Sequence, residues 1–137
     1  LGADHVIDPT DIDLKEAVDD RIGAVDIAVE VVGMPETIQD AIDLPSPGGR
    51  TLIFGVPPQD STIEISPFDY YYHEVELTGT YSLRPHDFEI AVEMLRQGRI
   101  DTDRLVTEEL GLDELTTAFD RMDNSEGLKK LVLPNKN

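Results

Sequence analysis

Gly33 and Gly55 are the residues of this chain best placed to admit a ligand. Each closes an apolar, β-branched run: Asp26-Ile27-Ala28-Val29-Glu30-Val31-Val32 before Gly33, and Arg50-Thr51-Leu52-Ile53-Phe54 before Gly55. The carboxyl edge of an open parallel sheet is where ligands bind, and glycine there lets a ligand approach the backbone closely. The same glycines would equally serve as the start of tight turns. Other chemistry is scarce. His5, His73 and His86 lie far apart, and none has a second His or Cys at metal-ligand spacing. With no cysteine there is no thiolate nucleophile, thiolate metal site or disulfide. No Gly-x-Ser-x-Gly elbow, Gly-x-Gly-x-x-Gly loop or Gly-Lys-Ser/Thr phosphate loop occurs. Acid pairs such as Asp19-Asp20 and Glu108-Glu109 are predicted to be solvated, which makes them poor candidates for a tuned catalytic dyad. Read by itself, the chain carries no catalytic machinery.

The two glycine-closed runs are joined by a helical segment with Ile38, Ala41, Ile42 and Pro45 along one face, then by the turn Pro47-Gly48-Gly49. Strand, helix and strand in this order and length predict one βαβ unit with parallel neighbouring strands. Upstream, residues 4–8 form a strand candidate closed by Pro9. A helix follows, capped by Asp11 or Asp13, with Leu14, Ala17, Val18 and Ile22 on one face and Gly23 at its end. Downstream, residues 61–65 alternate like a short extended piece, and residues 67–73 suit a short helical turn. A strand is expected from Val75 to Tyr81, with Val75, Leu77 and Gly79 on one side. Asp87 is expected to cap an amphipathic helix bearing Phe88, Ala91, Val92 and Leu95 and ending at Gly98. Residues 100–107 read as a connector. Residues 112–122 read as a helix burying Leu115, Ala118, Phe119 and Met122, and residues 128–133 as a last strand before Pro134. The alternation makes the chain α/β.

The 137 residues suffice for one modest core, and at 39% hydrophobic and 6% aromatic that core is aliphatic. No run is long enough to span a membrane, and no basic-then-apolar signal segment opens the chain, so a cytoplasmic setting is expected. The formal net charge is −18, with acids spread over every predicted helix and loop and only four lysines. Dispersed acid with scarce lysine suits molar salt, where self-repulsion is screened, and points to a halophilic source. Nucleic acid and anionic membrane, which need a basic face, are not expected partners.

Taken in order, LGADHVID, DIAVEVVG, PGGRTLIFGVPP, VELTGTY, AVEMLRQGRID, RLVTEELGLDELTTAFDRM and GLKKLVL resemble the C-terminal portion of the zinc-type medium-chain alcohol dehydrogenases. PFDYYYHEVELTGTYS is most similar to their sorbitol, polyol and threonine dehydrogenase branch. The resemblance covers essentially the whole chain. It implies a partial Rossmann-type parallel sheet over residues 1–82, made of later strands of an NAD(P)-binding domain. Residues 83–137 would be C-terminal helices and a last strand that pack toward a catalytic domain outside this sequence. It further implies a C-terminal fragment: the opening Leu1-Gly2-Ala3-Asp4-His5 reads like the end of a helix, with Gly2 just past it. The zinc ligands, the Gly-rich phosphate loop and the ribose-binding acid would then lie upstream. Zinc is expected for the full-length family member but not bound by this chain.

The resemblance also implies sites. Val32 and Gly33 match positions under the adenosine and nicotinamide riboses. Phe54, Gly55 and Val56 match the backbone that meets the nicotinamide end, and Thr80, Tyr81 and Ser82 match the other half of that clamp. A carboxamide needs one donor and one acceptor at fixed separation, which backbone at strand ends supplies rigidly. Lys129 matches a basic position near the pyrophosphate, where the family often has Arg. The implied activity is NAD- or NADP-dependent hydride transfer from a secondary alcohol or polyol. The strand from Val75 to Tyr81 would pair subunits of a homo-oligomer. Two other readings stay open: a zinc-independent quinone or enone reductase of the same superfamily, and a non-enzymatic truncated domain acting only through subunit pairing. On this basis residues 4–8 lack a neighbouring strand, and residues 26–32 become an exposed apolar edge.

Overall fold

Three short strands, β1 (Ile27–Glu30), β2 (Arg50–Ile53) and β3 (Glu76–Gly79), form a parallel sheet in the order β1-β2-β3. The register sets Glu30 beside Ile53, and Ile53 beside Gly79, so all three strands end at one edge. The structure is a computed structural model that describes residues 2–135. The sheet belongs to a first unit, Ala3–Ser82; a second is built from the chain after Ser82.

Helix α1 (Leu14–Arg21) starts where the Asp13 carboxylate accepts the Glu16 N–H at 3.0 Å. Helix α2 (Pro35–Asp43) begins with proline, whose missing N–H costs nothing in the first turn. Its buried residues Ile38, Ala41 and Ile42 are the positions that the helical spacing singles out, and the helix packs on β1 and β2. The Thr51 side chain, fully buried on β2, donates to the Ala41 carbonyl at 2.9 Å. The helical donor to that carbonyl would be residue 45, a proline without an N–H, so the Thr51 hydroxyl takes its place. Helix α3 (Pro67–His73) is the expected short helical piece, capped by Ser66.

Period-two alternation puts Ala28, Glu30 and Thr51 on the covered face of the sheet. On the opposite face Ile27 and Val29 are more than half exposed, and β1 is the edge strand that the sequence led one to expect. Residues 4–8 correct the reading: they form no strand, because no strand lies beside them among the described residues to share a hydrogen-bond ladder. Residues 61–65 also join no ladder. Instead the Gln39 amide brackets Glu64, donating to its carbonyl and accepting its N–H, both at 3.1 Å.

In the second unit, helix α4 (Pro85–Arg96) has Arg84 at its N-cap. Asp87 caps it from the third helical position, accepting the Arg84 N–H at 3.0 Å, rather than preceding the helix as expected. The expected connector contains a one-turn helix, α5 (Thr102–Leu105), and runs into an unexpected strand, β4 (Val106–Leu110). This pairs in parallel with β5 (Lys129–Val132), with an irregularity between Val106 and Glu108. The expected helix over 112–122 is a 3₁₀ turn, Leu112–Glu114, followed by α6 (Leu115–Asp123). Of its expected buried face only Ala118 is buried; Phe119 and Met122 are more than half exposed, and α4 has no buried residue. No element of the described unit covers these stripes. Glu108 also departs from its solvated reading: it is half-buried and ion-paired with Arg121.

Candidate functional site

The strand ends meet in one rim. Val32 and Gly33 leave β1, Phe54, Gly55 and Val56 leave β2, and Thr80, Tyr81 and Ser82 leave β3. Backbone bonds tie the three exits together. Phe54 N–H and Gly55 N–H both donate to the Glu30 carbonyl, at 2.8 and 3.0 Å, and Thr80 N–H donates to the Ile53 carbonyl at 3.1 Å. Lys129, the ninth expected site residue, lies exposed on β5 in the second unit.

The two glycines let the exits of β1 and β2 pack closely against each other. Gly33, at φ 86°, lies against the chain after β2, and a Cβ there would sit 2.7 Å from the Val56 carbonyl oxygen. A Cβ on Gly55 would overlap the Gly33 nitrogen and sit 2.8 Å from both Gly33 Cα and Glu30 Oε2. The space beside each glycine is filled by the chain itself. What remains for a ligand is the rim above them, where Val32, Phe54, Val56 and Tyr81 are 61%, 60%, 84% and 94% exposed.

Beneath the rim is a residue that the sequence reading did not single out. Glu30, 4% exposed, turns its carboxylate into the bend after its own strand. Its Oε1 accepts the Val32 N–H at 2.7 Å, the Gly33 N–H at 2.7 Å and the Thr37 hydroxyl at 2.8 Å. Oε2 is buried with no hydrogen-bond partner. Burial pushes the carboxyl pKa up, but the N–H of Gly33, the Thr37 hydroxyl and the N–H groups of Val32 and Gly55 outweigh it, and the net shift is downward. The carboxylate is therefore an anion held by backbone donors. The available signal was a lone acid on the inward alternation of an apolar run, three residues before a glycine.

The rim residues, 32–33, 54–56 and 80–82, contain no lysine or arginine. The rim combines exposed apolar side chains with strand-end backbone, a surface suited to a flat, uncharged ligand carrying an amide. It offers no cation to a pyrophosphate. Among the described residues no three His, Cys, Asp or Glu side chains group closely enough to hold a metal ion. The rim therefore offers a flat apolar surface without a charged side chain, and the described residues offer no cluster of zinc ligands.

A parallel sheet whose strand ends converge on one open rim defines a protein of the open α/β class, whose ligands bind at the carboxyl ends of the strands. More narrowly, residues 1–97 match the family model of the zinc-binding dehydrogenases, and the chain belongs to that family. It is 30% identical over 141 residues to D-arabinitol dehydrogenase 1 of Uromyces fabae, covering 98% of this chain and 39% of that protein. It is likewise 30% identical over 142 residues to the sorbitol dehydrogenase of Bacillus subtilis, covering 99% of this chain and 39% of that one. Among solved structures, a zinc-binding dehydrogenase of Sinorhizobium meliloti bound to NADP superimposes with a TM-score of 0.85 at 32% identity, covering 97% of this chain and 40% of that one. The 2R,3R-butanediol dehydrogenase of Bacillus subtilis gives 0.81 at 29% identity, covering 94% and 38%. The chain thus spans about two fifths of the length of these relatives.

Proposed function

We propose that this chain is the coenzyme-binding portion of an NAD(P)-dependent dehydrogenase that takes hydride from a secondary alcohol or polyol. The observation that carries the reading is the uncharged rim, where three parallel strand ends present backbone beside exposed apolar side chains. The named relatives support the substrate class, since sorbitol, arabinitol and butanediol are all polyols with secondary hydroxyls.

In this reading Phe54, Gly55 and Val56, with Thr80, Tyr81 and Ser82, hold the carboxamide of the nicotinamide. Val32 and Gly33 lie under the riboses, and Lys129 offsets phosphate charge. When bound, the coenzyme supplies the ring that accepts the hydride. The chain's own part is to fix the ring's face and keep water from one side of it. Residues 1–82 belong to the coenzyme domain, and residues 83–137 pack toward the catalytic domain. The zinc that gives the family its name would be held by other residues. The free edge of β3 supports a homo-oligomer. The charge of −18 supports a halophilic source, and the setting we infer is cytoplasmic.

The test is an oxidation assay on the protein in molar KCl, with NAD or NADP and sorbitol, D-arabinitol or 2,3-butanediol. Reduced coenzyme should accumulate with at least one polyol and stop when the zinc is chelated. No turnover with any pairing would overturn the reading.

A further inference from the structure

We propose that Glu30 is a positioning residue for the nicotinamide end of the coenzyme: its buried carboxylate pins the Val32–Gly33 bend against Gly55 and so sets the spacing of the strand ends that form the rim. This inference rests on the coenzyme reading above. Four observations on one side chain carry it. The carboxylate is buried, and Oε1 gathers two backbone N–H groups and a helix hydroxyl. The N–H groups belong to Val32 and Gly33, both of them rim residues, so the bend after β1 closes onto its own strand through this oxygen. The other oxygen faces Gly55 so closely that even a methyl group there would clash. The backbone carbonyl of the same residue takes the N–H groups of Phe54 and Gly55. One residue on β1 therefore fixes the exit of β1 with its side chain and the exit of β2 with its main chain.

The contact needs the charge as well as the shape. An ionised carboxylate accepts several hydrogen bonds at one oxygen, and bonds to a charged acceptor are the stronger kind. Glutamine at this position keeps one acceptor oxygen but loses the charge and puts an NH₂ in the tight space beside Gly55, where Oε2 makes no hydrogen bond. The bend should remain but loosen. Because the rim reads the nicotinamide amide by its spacing, a loosened bend weakens ligands that carry that amide more than ligands that lack it.

The experiment compares wild type, Glu30→Gln and Thr37→Val in the native protein. It measures dissociation constants for NADH, NADPH and ADP-ribose, together with amide hydrogen exchange. ADP-ribose is the discriminating probe, since it lacks the nicotinamide. For Glu30→Gln the dissociation constant of the preferred reduced coenzyme should rise about tenfold, and that of ADP-ribose less than threefold. Exchange should quicken at Val32 and Gly33 while β2 and α2 keep their protection. Thr37→Val, which removes one donor and keeps the charge, should shift the same readouts in the same direction by about threefold.

Equal losses for NADH and ADP-ribose would make Glu30 a merely structural residue and overturn the proposal. So would unchanged coenzyme affinity in a folded Glu30→Gln. If Glu30→Gln fails to fold, an unchanged coenzyme affinity in Thr37→Val overturns it instead. Failure of the wild type to bind any of the three ligands overturns the coenzyme reading and this proposal's coenzyme role with it. The exchange rates at Val32 and Gly33 would then show separately whether Glu30 pins the bend.

Discussion

Adding one methyl group at Gly55 should damage this protein, whereas the same change at Gly79 should not. Both glycines sit at the carboxyl ends of neighbouring strands, so local helix or strand preference does not separate them. What separates them is what the methyl meets. At Gly55 it would overlap the Gly33 nitrogen and approach Gly33 Cα and Glu30 Oε2 to 2.8 Å. The first two are backbone, and the third belongs to a carboxylate held by three hydrogen bonds, so no flexible group can step aside. Overpacking of this kind costs about 1–3 kcal/mol. Displacing the carboxylate from one of its donors adds about 1.5–3 kcal/mol. Gly55→Ala should therefore lose roughly 2.5–6 kcal/mol, a large part of an ordinary domain's stability. At Gly79 the nearest atom to an added methyl is the Ile53 carbonyl oxygen at 3.9 Å, an ordinary contact. Gly79→Ala should be neutral or gain about 0.4–1 kcal/mol through the unfolded chain. Equilibrium urea unfolding of both variants reads the difference directly. If Gly55→Ala unfolds within about 0.5 kcal/mol of the wild type, the close packing of the two strand exits is wrong.

Three further outcomes follow from single features. Thr51→Val keeps the shape but strips the donor from the buried Ala41 carbonyl, and urea unfolding should show a loss of about 1–3 kcal/mol. The lowered Glu30 pKa contributes stability above the ordinary glutamate range, and that stability is lost as pH falls through the lower, folded value. A series of melts from neutral to acid pH should show the wild type losing stability more steeply than Glu30→Gln. With a net charge of −18 spread over the surface, melting temperature should climb between about 0.1 and 2 M KCl as the screening length falls from about 10 Å to under about 3 Å; a flat response would remove the halophilic reading.

The sheet was legible because β1 and β2 are β-branched runs that stop at glycine, and α2 shows its buried residues at helical spacing. Residues 4–8 carry the β-branched pair Val6-Ile7 but have no neighbour among the described residues, and a strand is defined by its partner as much as by its residues. The reverse holds for β4. Val-Thr-Glu-Glu-Leu carries two acids and a poor alternation, yet pairing with β5 and the Arg121–Glu108 ion pair make it a strand. Helices α4 and α6 were legible as helices from their stripes, but a stripe states only which face is apolar. Whether Phe88, Phe119 and Met122 are covered depends on elements beyond the described unit's own. Glu30 was named inside an apolar run but not singled out from it. Alternation turned it inward with Ala28 and left Ile27 and Val29 outside. The glycines were legible as strand ends, but the close packing of the two chain exits that their bare backbone at Gly33 and Gly55 allows was not.

The central claim is that this rim receives the nicotinamide end of a dinucleotide. Hydrogen exchange of the protein with and without saturating NADH or NADPH tests it most directly. The account predicts new protection concentrated at Val32–Gly33, Phe54–Val56 and Thr80–Ser82, with ADP-ribose protecting Phe54–Val56 much less. Protection confined to other segments, or none at these three with coenzyme demonstrably bound, would contradict it.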